Sequence, residues 1–148
     1  MRVASIGDLV TDYYYKNEKF LGINGGMTSH NIIANLAKMG INTVVFGTCG
    51  NDMQGEIAIK SLEKLDVDTN NIVVLDDVRT RCFHVSYFDN EDKLSFTSKK
   101  RCPFCSNKKW YEDSLIDIDD IIKKINNDDI LVFDNLNNKN QILIDKVD

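Results

Sequence analysis

Four places in the chain carry carboxylates, amides or thiols at spacings that suit small-molecule chemistry. The first is Gly7-Asp8-Leu9-Val10-Thr11-Asp12, directly after the apolar run Val3–Ile6. Open α/β sheets bind ligands just outside the carboxyl ends of their strands. A carboxylate at that edge accepts hydroxyl hydrogen bonds on both oxygens, which suits a polyol, so Asp12 is a candidate binding residue. The plainer reading is a helix cap or a solvated turn. The second place is Gly25-Gly26 with Asn31 five residues on. Paired glycines before a helix let backbone approach a ligand, and Asn31 offers a donor and an acceptor to a hydroxyl. The same glycines also suit a tight turn.

The third place, Gly47-Thr48-Cys49-Gly50-Asn51-Asp52-Met53-Gln54-Gly55, has three glycines but neither the Lys-Ser/Thr ending of a phosphate loop nor a Gly-x-Gly-x-x-Gly fingerprint. Asp52 there suits a helix cap better than a base. The fourth is Cys102-Pro103-Phe104-Cys105. Two thiols at this spacing can bite one metal ion, and a closed zinc site needs four ligands, for which Cys82 and His84 share a strand face. The alternatives are a half-site completed elsewhere, or a reduced pair in a loop, with Trp110-Tyr111 beyond it packing on a small sheet.

The elements that must hold these residues follow from periodicity. Val3–Ile6, Thr43–Phe46, Ile72–Leu75 and Ile130–Phe133 read as buried strands. Between them, Ile32, Ile33, Leu36, Ala37 and Met39 fall at helical spacing, with Thr28 or Ser29 as cap and Gly40 as stop. A second helix, capped by Asp52, carries Ile57, Ile59, Leu62 and Leu65, and later helices carry Ile118–Ile125 and Asn140–Val147. Strand–helix–strand repetition of this kind predicts an α/β fold with a mainly parallel sheet covered by helices. Tyr13–Phe20 reads as one half-exposed strand, and Gly22–Gly26 as the most flexible point of the backbone. Arg81–Phe88 and Lys93–Thr97 read as a hairpin around Asp89-Asn90-Glu91-Asp92, forming a small antiparallel sheet with the tyrosine strand. The last helix has no following strand to cover, so the chain is expected to be a truncation.

A chain of 148 residues fits one domain, and 43% apolar with 28% charged residues is a globular composition. A net charge of −5 argues against nucleic acid or an anionic membrane as partner. No run approaches the ~18 apolar residues of a membrane helix. The short apolar amino terminus ends in an acid and is no secretory signal. Four cysteines without a signal point to reduced thiols and a cytoplasmic location. Lys99-Lys100-Arg101 with Lys108-Lys109 reads as a solvated loop or a local anion patch.

Taken in order, these segments resemble the amino-terminal part of the ribokinase-like (PfkB) family of carbohydrate kinases. Gly7 to Asp12 resembles the opening strand with its substrate aspartate. Gly25-Gly26 with Asn31-Ile-Ile-Ala-Asn-Leu-Ala-Lys-Met-Gly40 resembles the Gly-Gly…Asn-x-Ala…Leu-Ala-x-Leu-Gly signature. Phe46 to Gly55, then Leu62 and Val67-Asp68, resembles Ile-Gly-x-x-Gly-x-Asp-x-x-Gly…Leu…Gly-Val-Asp, and Thr80 matches the Thr that leads into the lid strands. The resemblance covers most of residues 1–135. It implies a ribokinase-like three-layer αβα fold with a small β lid (strands about 13–21 and 81–98, with the cysteine loop 99–111 inserted) in one partial domain, 1–148. It also implies Asp12, Gly25, Gly26 and Asn31 at the substrate, ATP and Mg as cofactors of the complete enzyme, and a homodimer formed through the lid.

The departures are specific. Gly26 to Asn31 is one residue longer than the common spacing, and Asp66 stands where the family has Gly. The Gly-Ala-Gly-Asp loop, which supplies the family's anion hole and base, is absent, since no Gly-x-Gly-Asp occurs in these 148 residues. The expectation is the sugar- or nucleoside-binding half of an ATP-dependent, alcohol-accepting phosphotransferase, inactive by itself. The alternatives are a non-catalytic sugar- or nucleoside-binding module that dimerises through its lid, and a small interaction protein with a structural Zn at Cys102 and Cys105.

Overall fold

A computed structural model describes residues 1–89, 95–98, 116–134 and 138–147. In chain order the elements are β1 (Val3–Ile6), β2 (Val10–Lys16), β3 (Lys19–Gly26), α1 (Thr28–Lys38), β4 (Thr43–Gly50), α2 (Met53–Glu63), β5 (Asp68–Leu75), β6 (Arg81–Tyr87), β7 (Ser95–Ser98), α3 (Ile118–Ile122), β8 (Ile130–Phe133) and α4 (Asn138–Val147).

β5, β4, β1 and β8 form a four-stranded sheet in that order, and every pair in it is parallel. The central strands are short apolar runs because both of their faces are covered. Alternation divides their side chains between two cores. Val3 and Val45 pack with Ile33 of α1 and with Ala58 and Leu62 of α2. Ala4, Ile6, Val44 and Phe46 pack on the other side with Ile121 of α3 and Leu143 of α4. The result is the α/β, three-layer αβα fold expected from the sequence. Each fully buried Leu, Ile or Phe contributes roughly 1.5–3 kcal/mol through removal from water.

A second sheet stands apart, in the order β3-β2-β6-β7. β2 pairs antiparallel with β3 and parallel with β6, and β6 pairs antiparallel with β7. The single strand expected over Tyr13–Phe20 is therefore a hairpin. Its two-residue turn, Asn17-Glu18, has positive φ at both positions (45° and 65°). Turns of that hand match the twist of the flanking strands and usually advertise themselves as Asn-Gly. Asn-Glu does not, and tertiary contacts hold it: the Asn17 amide donates to Asp89 at 2.8 Å, and Lys16 pairs with Asp89 at 2.8 Å. The glycine-rich stretch expected to be most flexible is strand β3 instead, ordered by its pairing with β2.

Two further differences concern helix ends. α1 is capped by neither Thr28 nor Ser29. Its N-cap is Met27, at φ 78° and ψ 161°, with no side-chain cap bond of its own. Asp66, standing where the family pattern has Gly, adopts φ 59°, a conformation that Asp tolerates better than most residues. Gly40 stops α1 at φ 78°, as the sequence indicates.

Candidate functional site

β1 runs into Gly7, where the chain leaves the parallel sheet at its carboxyl edge and enters β2 of the second sheet. Gly7 donates its amide to Phe46 O and Leu9 to Thr48 O, so the crossover stays sewn to β4. Thr11, fully buried, donates its hydroxyl to Gln54 O at 2.8 Å, and Gln54 donates its side-chain amide to the Tyr13 hydroxyl at 2.9 Å. One face of the second sheet is thereby fixed to the start of α2. Alternation then puts Asp12 on the opposite face.

Asp12 is 9% exposed. Its register partner across the hairpin is Asn24, and its carboxylate lies over the diagonal neighbour Gly26, where a Cβ would come 2.1–2.4 Å from the carboxylate atoms. Only glycine leaves room for the charge to lie against the backbone. The Tyr14 hydroxyl donates to Asp12 Oδ2 at 3.3 Å, the side-chain bond this carboxylate accepts among the described residues. On the other side Asp12 is in register with Phe83, whose ring carries the Arg81 guanidinium 5.0 Å above its centre. Burial pushes the Asp12 carboxyl above its ordinary value, and the Tyr14 bond opposes that rise. A half-satisfied buried carboxylate of this kind costs free energy that a ligand's hydroxyl donors would recover.

The other sequence-derived residues divide. Gly25 faces away from Asp12, and a Cβ there would strike the His30 ring and the Ser61 hydroxyl. Its smallness serves packing: His30 Nε2 lies 3.0 Å from Ser61 Oγ, tying α1 to α2 beneath β3. Asn31 has an exposed side chain on the first turn of α1, where Gly26 delivers the chain. Cys102 and Cys105, with Trp110 and Tyr111, lie outside the described residues. The residues suggested to complete their metal site are otherwise engaged. Cys82 is buried with its thiol 3.5 Å from Thr80 O, and His84 is stacked against Tyr13 and Tyr15 at 5.2 and 5.5 Å. Among the described residues no three His, Cys, Asp or Glu side chains are grouped to hold a metal ion.

Asp52 is a structural clamp. Its Oδ1 accepts the Gly55 amide, capping α2, and its Oδ2 accepts the Thr80 amide, both at 2.9 Å. Thr80 in turn accepts the Gly50 amide at 2.9 Å. Gly50 and Gly55 are small because a Cβ would meet Val78 O at 2.7 Å and Gly50 O at 2.3 Å respectively. The glycine-rich stretch thus joins α2 to the entry of β6.

One residue the motif reading did not select is Asp134, just after β8. Its Oδ1 accepts the Ser29 amide at 2.5 Å, giving α1 the cap that Met27 does not supply. The carboxylate also lies against Gly7, where a Cβ would come within 2.4 Å of Oδ2. A negative group suits the positive end of a helix. The only local signal is a polar residue directly after an apolar strand at the ligand edge.

A parallel αβα sheet with a small sheet rising from its carboxyl edge is the ribokinase-like fold, and this chain has it. Similar solved structures are a sugar kinase from Pyrococcus horikoshii (TM-score 0.69, 21% identity, 99% of this chain and 48% of that one) and the fructokinase of Halothermothrix orenii (TM-score 0.68, 18% identity, 90% and 46%). A third is an Escherichia coli protein assigned as a ribokinase II and solved with ATP and Mg2+ (TM-score 0.58, 21% identity, 67% and 33%). The chain spans less than half the length of each of these three. No family model matches the sequence, and no curated protein matches it.

Proposed function

We propose that the chain is the substrate-binding half of an ATP-dependent carbohydrate kinase, acting on a hydroxyl of a sugar or nucleoside. The observation that carries this reading is the Asp12 carboxylate, buried against Gly26 where the small sheet leaves the ligand edge of the parallel sheet. In this reading the carboxylate grips two hydroxyls, the bare backbone at Gly26 allows the sugar ring to approach, and Asn31 adds a further polar contact from α1. The small sheet covers the sugar and excludes water.

The residues present do not fit ATP. These 148 residues contain no Gly-x-Gly-Asp loop, and the glycines at 47, 50 and 55 serve packing. Phosphoryl transfer depends on positioned groups that stabilise charge on the moving phosphoryl, so no transfer step is assigned to this chain alone. A panel of sugars and nucleosides titrated into purified residues 1–148, with a coupled ADP-release assay alongside, tests the proposal. Saturable binding of at least one polyol without sugar-dependent ADP release is the expected result. Binding of none, or turnover by this chain, contradicts it.

A further inference from the structure

Where β3 hands over to α1, Met27 sits at φ 78° and ψ 161°. That region of backbone space is populated almost only by glycine, and a residue with a side chain stays there only when its surroundings over-determine it. The other described non-glycine residues at positive φ, Asn17, Glu18 and Asp66, lie in turns. Met27 lies between two anchored points instead. On its amino-terminal side, Gly26 lies against the Asp12 carboxylate and Gly25 against the His30 ring. On its carboxyl-terminal side, the Met27 carbonyl accepts the Asn31 amide at 2.9 Å, and Ser29 donates its amide to Asp134 Oδ1 at 2.5 Å. The Asp134 carboxylate also lies against Gly7, so the start of α1 is tied to the ends of both β8 and β1.

We propose that Asp134 is a positioning residue for the Asp12 site: by gripping Ser29 it holds Met27 in its strained conformation and so keeps the Gly26 backbone against the carboxylate. The inference rests on the reading of Asp12 as the hydroxyl-gripping group. Rotation about the N–Cα bond of Met27 swings Gly26 relative to α1. The helix cannot follow, because Ile33 is fully buried and His30 is tied to Ser61 of α2. Without the Asp134 bond, Met27 relaxes to negative φ, Gly26 withdraws and water reaches Asp12. A glycine at position 27 has no such strain to release, so Asp134 then has nothing to oppose. The two residues are therefore coupled through the conformation of one backbone bond.

A double-mutant cycle of Asp134→Ala and Met27→Gly tests this. It is read by the Asp12 side-chain pKa from NMR and by calorimetric titration of ribose and adenosine, with thermal melting to verify the fold. Met27→Gly is expected to melt higher, with the Asp12 pKa of the wild type. Asp134→Ala is expected to lower the Asp12 pKa toward its ordinary 3.8 and to weaken binding at least tenfold. In the Met27→Gly background, Asp134→Ala is expected to do neither. Loss of a helix cap alone would lower the melting temperature without moving Asp12, and loss of a nearby charge would move it equally in both backgrounds. An Asp12 pKa indifferent to Asp134→Ala, an equal shift with and without Met27→Gly, or no rise in melting temperature for Met27→Gly overturns the assignment. Should Asp134→Ala alone fail to fold, the double variant is expected to fold with the wild-type Asp12 pKa, and one that unfolds or shifts overturns the assignment as well. Absence of binding of both ligands by the wild type contradicts the Asp12 reading, while the pKa cycle still decides the role of Asp134.

Discussion

Buried titratable side chains in this protein differ in the sign of what burial does to them, and His30 and Asp12 stand at opposite ends. His30 is 4% exposed, and burial lowers its pKa from the ordinary 6.5 to about 4. The folded state therefore keeps it neutral while the unfolded chain protonates it below pH 6.5. Stability from this group is complete above about 6.5 and is lost as pH falls toward about 4, by roughly 3 kcal/mol at 1.36 kcal/mol per unit. Urea titrations of the wild type and His30→Gln across that window should converge as pH falls. Parallel curves would show that His30 does not titrate as described. Asp12 has the opposite sign: a carboxyl whose pKa is raised on folding loses stability as pH rises through it, so its charge weakens the fold at neutral pH. Gly25 and Gly26, adjacent in sequence, also separate here. The sequence offered both as substrate contacts, and only the pleat decides that one meets Asp12 and the other His30.

At the scale of elements, legibility followed how locally each one is determined. β1 and β8 were read with their observed ends, because a short, uninterrupted apolar run in a parallel sheet needs no information beyond itself. β3 was not. Three glycines give it almost no strand propensity, and its conformation comes from pairing with β2. The cap of α1 was missed for the same reason, since the partner of Ser29 lies 105 residues away in sequence at Asp134. The Asn17-Glu18 turn hid because its second residue is strained, at φ 65° without being Gly. Glu18→Gly should relieve that strain and raise stability by about 0.5–1 kcal/mol, read as a higher urea midpoint with an unchanged slope. No gain, or a loss, would mean that the turn differs from the one described.

At the scale of the molecule, the parallel sheet is a platform for the edge at which Asp12 and Gly26 meet. The parallel sheet anchors β1 and β4, and the crossover from β1 to β2 carries Asp12 out to a second sheet whose other face is bound to α2 through Thr11 and Gln54. Asp52 and Thr80 secure the entry of β6 in the same way. The α/β class and the small outer sheet were both legible from periodicity, because they depend on the order of apolar runs. The site was only partly so. Asp12 and Gly26 stood out by motif, whereas their mutual contact and Asp134 depend on how strands pair across the fold. The measurement that bears most directly on the account is a calorimetric titration of ribose and adenosine into the wild type and Asp12→Asn, with melting curves for both proteins. The account predicts that Asp12→Asn melts at the same temperature or higher, because a buried charge is gone, and loses at least tenfold in affinity for whichever ligand binds. An Asp12→Asn protein that binds as tightly as the wild type would contradict it.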